Sequence, residues 1–128
     1  LYPCCYSCTF NVMPYKHSDK LVLNMVLNQR SQDILAANNW NVCQYAALLI
    51  MLAKASGLEP GELVHVIADA HIYDRHVDIV KQIIEKEPYP APIMRVDDIT
   101  DFYKFTKESF TLENYKYHDF DGKIPVAI

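Results

Sequence analysis

The sequence has only three glycines, no block of basic residues, and no apolar run beyond the eight residues Ala46 to Ala53. Each shortage excludes something. Few glycines, with aliphatic and aromatic residues spread from end to end, are not the composition of a disordered chain. Sixteen acids against twelve bases leave a net charge of -4. Non-specific binding to DNA or RNA needs several Lys or Arg contacts to phosphate, so a nucleic-acid substrate is not expected. A small anionic ligand stays compatible, because one well-placed arginine can hold it with two hydrogen bonds. Eight apolar residues fall far short of the ~20 that span a membrane. A secretory leader is not expected either, since Lys16 follows a polar, cysteine-containing opening rather than preceding an apolar one. The expectation is a soluble, cytoplasmic protein. The chain opens at Leu1 without Met, as expected of a fragment.

What is present fits one domain. With 128 residues, 51% of them hydrophobic, the chain should bury roughly two-thirds of its unfolded surface. Cys4, Cys5 and Cys8 crowd the N-terminus and Cys43 lies far away, unlike the even spacing of a secreted disulfide scaffold. Cys5 and Cys8 have the spacing of a redox pair, and Cys4, Cys5 and Cys8 offer three thiolates to zinc. The run from Tyr6 to Val12 is rich in β-formers, and a strand would point Cys4 and Cys8 one way and Cys5 the other. A redox pair instead needs both sulfurs within bonding distance. A zinc set would need Cys43 or a histidine brought in by the fold.

The strand Tyr6 to Val12, a turn or loop over Met13 to Lys20, and a strand Leu21 to Asn28 predict a hairpin. Asn38 and Asn39 mark a turn. Asn41 is expected to cap a helix over Val42 to Ser56, with Gly57 at its C-terminus and Pro60 beyond. That helix is apolar around most of its surface and should be central and buried. Glu62 to Ala68 predicts a buried strand. A helix over Asp74 to Lys86 follows, with Val77, Val80, Ile83 and Ile84 at helical steps. Pro92 to Val96 predicts a short strand and Asp97 to Asp101 an acidic turn. Strands and helices mix without strict alternation, so the expected class is α+β, with helices packed on a sheet.

Three clusters could carry chemistry. Pro3-Cys4 places a thiol at the entrance to a strand, either as a nucleophile or as one of the small buried hydrophobes that free cysteines usually are. Gln29-Arg30-Ser31-Gln32-Asp33 follows the second strand. Its arginine fork and serine hydroxyl suit a phosphate or carboxylate, although Arg30 beside Asp33 could equally form a surface pair. Asp69-Ala70-His71-Ile72-Tyr73 could grip a hydroxyl with His71 and Tyr73, or Tyr73 could simply pack. His71 and His76 lack a metal-ligand register.

The order of these motifs resembles the thymidylate synthase family. Leu1-Tyr2-Pro3-Cys4-Cys5 is similar to the family's Leu-Pro-Pro-Cys-His, and the Gln-Arg-Ser-x-Asp signature stands intact at Gln29 to Asp33. Trp40-Asn41-Val42 with Tyr45 resembles the segment at the central helix. Gly57 to Glu62 resembles the linker after it, and Ala68 to Tyr73 the Gly-Asp-(Ala/Thr)-His-(Leu/Ile)-Tyr motif. Pro125-Val126-Ala127-Ile128 is like a typical bacterial C-terminus. The resemblance covers essentially the whole chain.

That resemblance implies methylation of dUMP to dTMP with 5,10-methylenetetrahydrofolate as cosubstrate, and no metal. Cys4 would add to C6 of the pyrimidine. Arg30 would contact the nucleotide phosphate and help keep Cys4 ionised, since a nearby cation favours the thiolate. Gln29 and Ser31 would join in substrate binding. Asn41 would read N3–H and O4 of the uracil, and His71 and Tyr73 would hold the sugar hydroxyl. Asp33 would position nucleotide and folate, and Ile128 would close over the ligands with its carboxylate.

The same resemblance makes residues 1–128 the C-terminal catalytic portion of a single thymidylate synthase domain. An N-terminal half would supply a glutamate, a further phosphate-binding arginine and folate contacts, and a homodimer partner would donate an arginine pair. The 128 residues alone are expected to be inactive. Tyr2, Cys5, Ala68 and the Ala37-Asn38-Asn39 segment depart from the family pattern, and the Met13 to Lys20 connection is longer. A dUMP hydroxymethylase, and a catalytically silent remnant retained for binding or dimerisation, are the alternatives.

Overall fold

The structure, a computed structural model, describes residues 2–16, 19–120 and 122–125. Strands β1 (Cys5–Pro14) and β2 (Leu21–Gln29) form the antiparallel hairpin that their β-rich runs predict. A backbone bond from the Tyr15 N–H to the Lys20 carbonyl, 2.9 Å, closes the connection. Strand β3 (Gln32–Asp33) and helix α1 (Asn38–Ala55) lead to β4 (Glu59–Ile67), which pairs parallel with β2. The sheet order is β1-β2-β4. A strand–helix–strand unit with a parallel return thus sits beside an antiparallel hairpin, within the expected α+β class.

Cross-strand register decides which residues face the helix. Cys8, Phe10 and Val12 stand opposite Leu27, Met25 and Leu23, and Met25 stands opposite Leu63 on β4. Met25 and Leu27 are fully buried, and Leu23, Met25, Leu49 and Ala53 form the core. Cys8, Tyr45, Leu52, Leu58 and Leu63 pack around it.

Three expectations change here. Helix α1 starts at Asn38, so Asn38 and Asn39 lie in its first turn and Asn41 is inside the helix, not its cap. The approach is organised by Asp33, whose Oδ1 accepts the N–H groups of Leu35 and Ala36 at 3.0 and 3.1 Å. That turn precedes the helix, and no side chain caps α1 itself. Second, α1 is not enclosed: only Leu49 and Ala53 are buried, and Trp40 is 79% exposed. Third, β4 alternates, with Leu63, His65 and Ile67 half-buried and Val64 and Val66 exposed. In both elements apolar residues run all round, while the described residues cover one face only.

The end of α1 is as expected. Gly57 takes a positive φ of 68°, and the Leu58 and Gly57 N–H groups bond the Ala53 and Lys54 carbonyls at 2.8 and 3.1 Å. This double bond pattern satisfies carbonyls that the helix end would leave open.

Beyond β4, the short strand β5 (Ala70–His71) pairs parallel with β3. The helix expected over Asp74 to Lys86 divides into a tight turn, Asp74–His76, and α2 (Val77–Ile84). Its apolar stripe is largely uncovered, with Val77, Ile83 and Ile84 exposed. Strand β6 (Ile93–Val96) pairs antiparallel with β7 (Phe110–Glu113), a partner the aromatic–polar run did not suggest.

Candidate active site

The site forms where β2 and β4 run out together. Their parallel pairing continues past the strand ends: the Ala68 N–H bonds the Gln29 carbonyl at 3.0 Å, Gln32 the Asp69 carbonyl at 2.8 Å, and Ile34 the His71 carbonyl at 3.0 Å. Residues 29–34 are therefore held alongside 67–71. Two motifs 40 residues apart in the chain become one surface, with Asp33 opposite His71.

Cys4 and Arg30 meet at the end of the hairpin. The Arg30 N–H donates to the Cys4 carbonyl at 2.9 Å, and its Nη2 donates to the Tyr2 carbonyl at 2.7 Å. The Cys4 thiol and the Arg30 side chain are both exposed. Next to them, strict strand alternation fails. A register shift between Cys5 and Ser7 leaves Cys5 and Cys8, not Cys4 and Cys8, half-buried together and coupled to Tyr45. A bulge adds one residue and so reverses which face its neighbour occupies. Burial pushes the Cys5 thiol up; a hydrogen bond with Tyr45 opposes this, and the charge of Cys4 adds to it. Burial and then the charge of Cys5 push Cys8 up as well.

Gln29 is the buried centre, 2% exposed. Its Nε2 donates to the Ser31 carbonyl at 2.8 Å and faces Asn41 Oδ1 at 3.4 Å. Its Oε1 meets Cys5 Sγ at 3.0 Å and His65 Nε2 at 2.8 Å. His65 belongs to none of the three sequence clusters; its sequence signal is a polar ring at an inward position of β4. Burial holds its basicity below the ordinary histidine value. Asn41 reaches this cluster because, inside the first turn of α1, its side chain is not spent on capping.

His71 and Tyr73 lie together, rings edge to face with centroids 5.1 Å apart. His71 Nδ1 is 3.4 Å from Asp69 Oδ2. Tyr73 also stands edge-on to His76, 5.8 Å between centroids. His76 is 1% exposed, and its Nε2 meets the Pro125 carbonyl at 2.8 Å. Ser31 is half-buried beside Gln29. Ile128 lies outside the described residues. Among the described residues no three His, Cys, Asp or Glu side chains gather as a metal set, and no helix is long and apolar enough to cross a membrane.

A thiol, an arginine, an amide and a His–Tyr pair thus lie where β1 begins and where β2 and β4 end. The family model for thymidylate synthase matches residues 1–128. The chain belongs to the thymidylate synthase family. A thymidylate synthase of Clostridium beijerinckii is 42% identical over 122 residues, which are 93% of this chain and 44% of that protein. A bifunctional dihydrofolate reductase-thymidylate synthase of Paramecium tetraurelia is 40% identical over 97 residues, 76% of this chain and 21% of that one. The solved structure of the thermostable thymidylate synthase A from Bacillus subtilis superposes with a TM-score of 0.86 at 36% identity, covering all of this chain and 43% of that one. The chain therefore spans less than half the length of these relatives.

Proposed function

We propose that this chain is the C-terminal catalytic portion of a single thymidylate synthase domain that methylates dUMP to dTMP with 5,10-methylenetetrahydrofolate. The observation that carries the reading is the meeting of Cys4 with Arg30 at the hairpin end, each next in the chain to a member of the Cys5–Gln29–Asn41 cluster. Arg30 binds the nucleotide phosphate with Ser31 beside it. Cys4 adds to C6 of the pyrimidine, forming an S–C bond and leaving C5 electron-rich as an enolate. Asn41 donates to the base oxygen on which that charge develops. Gln29, though part of the substrate-binding set, acts from within, because its amide is engaged by protein partners. His71 and Tyr73 hold the sugar hydroxyl.

The folate supplies the one-carbon unit and then the hydride when it is bound. Asp33 fits its recognition: Oδ1 is occupied by two backbone N–H groups, while Oδ2 has no hydrogen bond among the described residues and can accept from a ring N–H. Ile128 completes the cover with its carboxylate. No metal is required. Cys4 then leaves as the thiolate, releasing dTMP.

The 44% share of the Clostridium relative supports a further part of the reading. The remaining contacts come from an N-terminal half, and the working enzyme is a cytoplasmic homodimer acting on a free nucleotide. The 128 residues alone should show no turnover, and normal dTMP formation by that purified chain would overturn this. The relatives named above favour neither a dUMP hydroxymethylase nor a silent remnant. The central test is incubation of the intact protein with 5-fluoro-dUMP and methylenetetrahydrofolate, followed by peptide mapping. A covalent adduct on Cys4 is expected; none, or one elsewhere, sinks the mechanism.

A further inference from the structure

The hydrogen-bond directions around Gln29 can be worked out from what each group is able to do. A peptide carbonyl only accepts, so the Gln29 atom 2.8 Å from the Ser31 carbonyl must be the amide nitrogen. This puts Oε1 at the other end, 3.0 Å from Cys5 Sγ and 2.8 Å from His65 Nε2. An amide oxygen only accepts, so both neighbours must donate. Cys5 is a thiol, and His65 carries its ring proton on Nε2. The second Gln29 N–H faces Asn41 Oδ1 at 3.4 Å, which leaves the Asn41 N–H groups to point elsewhere. Burial acts in the same sense, because it keeps the Cys5 thiol protonated and the His65 ring neutral.

We propose that Cys5 is a positioning residue: its S–H, with the His65 N–H, holds the Gln29 amide in one orientation and through it presents the Asn41 N–H groups to the pyrimidine. This rests on the reading that Asn41 meets the base. Cys5 itself touches no substrate. The competing role for Cys5 is that of a small side chain packed against Tyr45 and hydrogen-bonded to it, which the Gln29 amide signal tells apart from orienting Gln29. Serine and alanine separate hydrogen bonding from packing alone, since they are close in size and only serine keeps a donor. A sulfur carrying a negative charge would do worse than alanine, because it turns a second acceptor toward Oε1.

The test uses the intact protein with Cys5→Ala and Cys5→Ser side by side. The first readout is steady-state kinetics on dUMP. The second, in the absence of nucleotide, is the NMR signal of the Gln29 side-chain amide, assigned by its disappearance in Gln29→Glu. Losing one neutral hydrogen bond in the chain should raise KM for dUMP about three- to tenfold in Cys5→Ala. Cys5→Ser should return KM to within about twofold of the parent. The Gln29 amide signal should move in Cys5→Ala and return toward its parental position in Cys5→Ser. Equal behaviour of the two variants, or an unmoved Gln29 amide in Cys5→Ala, overturns the proposal. Failure of the parent to form the Cys4 adduct with 5-fluoro-dUMP would instead remove the pyrimidine reading, while the nucleotide-free amide signal still decides whether Cys5 orients Gln29.

Discussion

The N–H of Arg30 donates to the carbonyl of Cys4 at 2.9 Å, so the residue after β2 faces the residue before β1 across the end of the hairpin. The arginine is held there by its backbone, and its exposed guanidinium bonds only the Tyr2 carbonyl among the described residues. Binding and folding should therefore separate at this residue. Arg30→Gln in the intact protein should slow adduct formation with 5-fluoro-dUMP at least about tenfold, through loss of a charge-assisted bidentate contact. Folding stability in urea should change by less than about 0.5 kcal/mol, the usual range for exposed positions. A large stability loss with normal adduct formation would reverse the assignment.

Gln29 should behave in the opposite way. Replacing it by leucine removes the partner of Cys5, His65, Asn41 and the Ser31 carbonyl in a site that is 2% exposed. Unsatisfied buried groups are expensive, so Gln29→Leu should destabilise by about 2–4 kcal/mol in equilibrium denaturation.

The pH profile of stability follows from two groups of opposite kind. His65 is depressed by burial, so the unfolded chain binds its proton more readily. Stability should be present above the ordinary value of 6.5 and be lost as pH falls below it. Cys5 and Cys8 are raised, so the unfolded chain releases their protons first, and stability should fall as pH rises past 9.0. Denaturation midpoints between these limits should form a plateau. His65→Gln should flatten the acid side, and an unchanged acid limb would show that another group dominates it.

His76 fixes the last described residue. Its ring N–H is the donor to the Pro125 carbonyl, since a carbonyl only accepts. His76→Phe keeps much of the volume and removes that donor. It should cost about 0.5–1.5 kcal/mol in equilibrium denaturation, the loss of one hydrogen bond to a half-buried residue. An unchanged midpoint would mean that the bond to Pro125 contributes nothing to stability.

Gly57 gives the cleanest backbone test. A Cβ there would meet nothing within 4 Å, so any loss comes from the φ of 68° alone. Gly57→Ala should cost about 1 kcal/mol, and Gly57→Asn less, because asparagine tolerates the left-handed region better.

The hairpin, the stop of α1 at Gly57 and the ordered motifs at Cys4, Gln29 to Asp33 and Ala68 to Tyr73 were all legible in the sequence. Each depends on periodicity, turn chemistry or residue order over a few positions. The start of α1 at Asn38 was not legible, because no side chain caps the helix and so no cap residue marks it; the side-chain bonds of Asp33 go to Leu35 and Ala36 in the turn before. The burial of α1 and β4 was misread because an apolar surface says that a face can be covered, not which residues cover it.

The sequence by itself determined the alternating strands, the glycine that ends α1 and the family to which the chain belongs. Only the tertiary structure decided that Cys5 and Cys8 share a side, that Asn41 turns toward Gln29, and that His65 enters the cluster. The reason is range. Side-chain alternation and φ preference act between neighbours, whereas Gln29 meets partners 24 and 36 residues away in the chain. A one-residue bulge, set by how two strands pair, was enough to reverse the local rule.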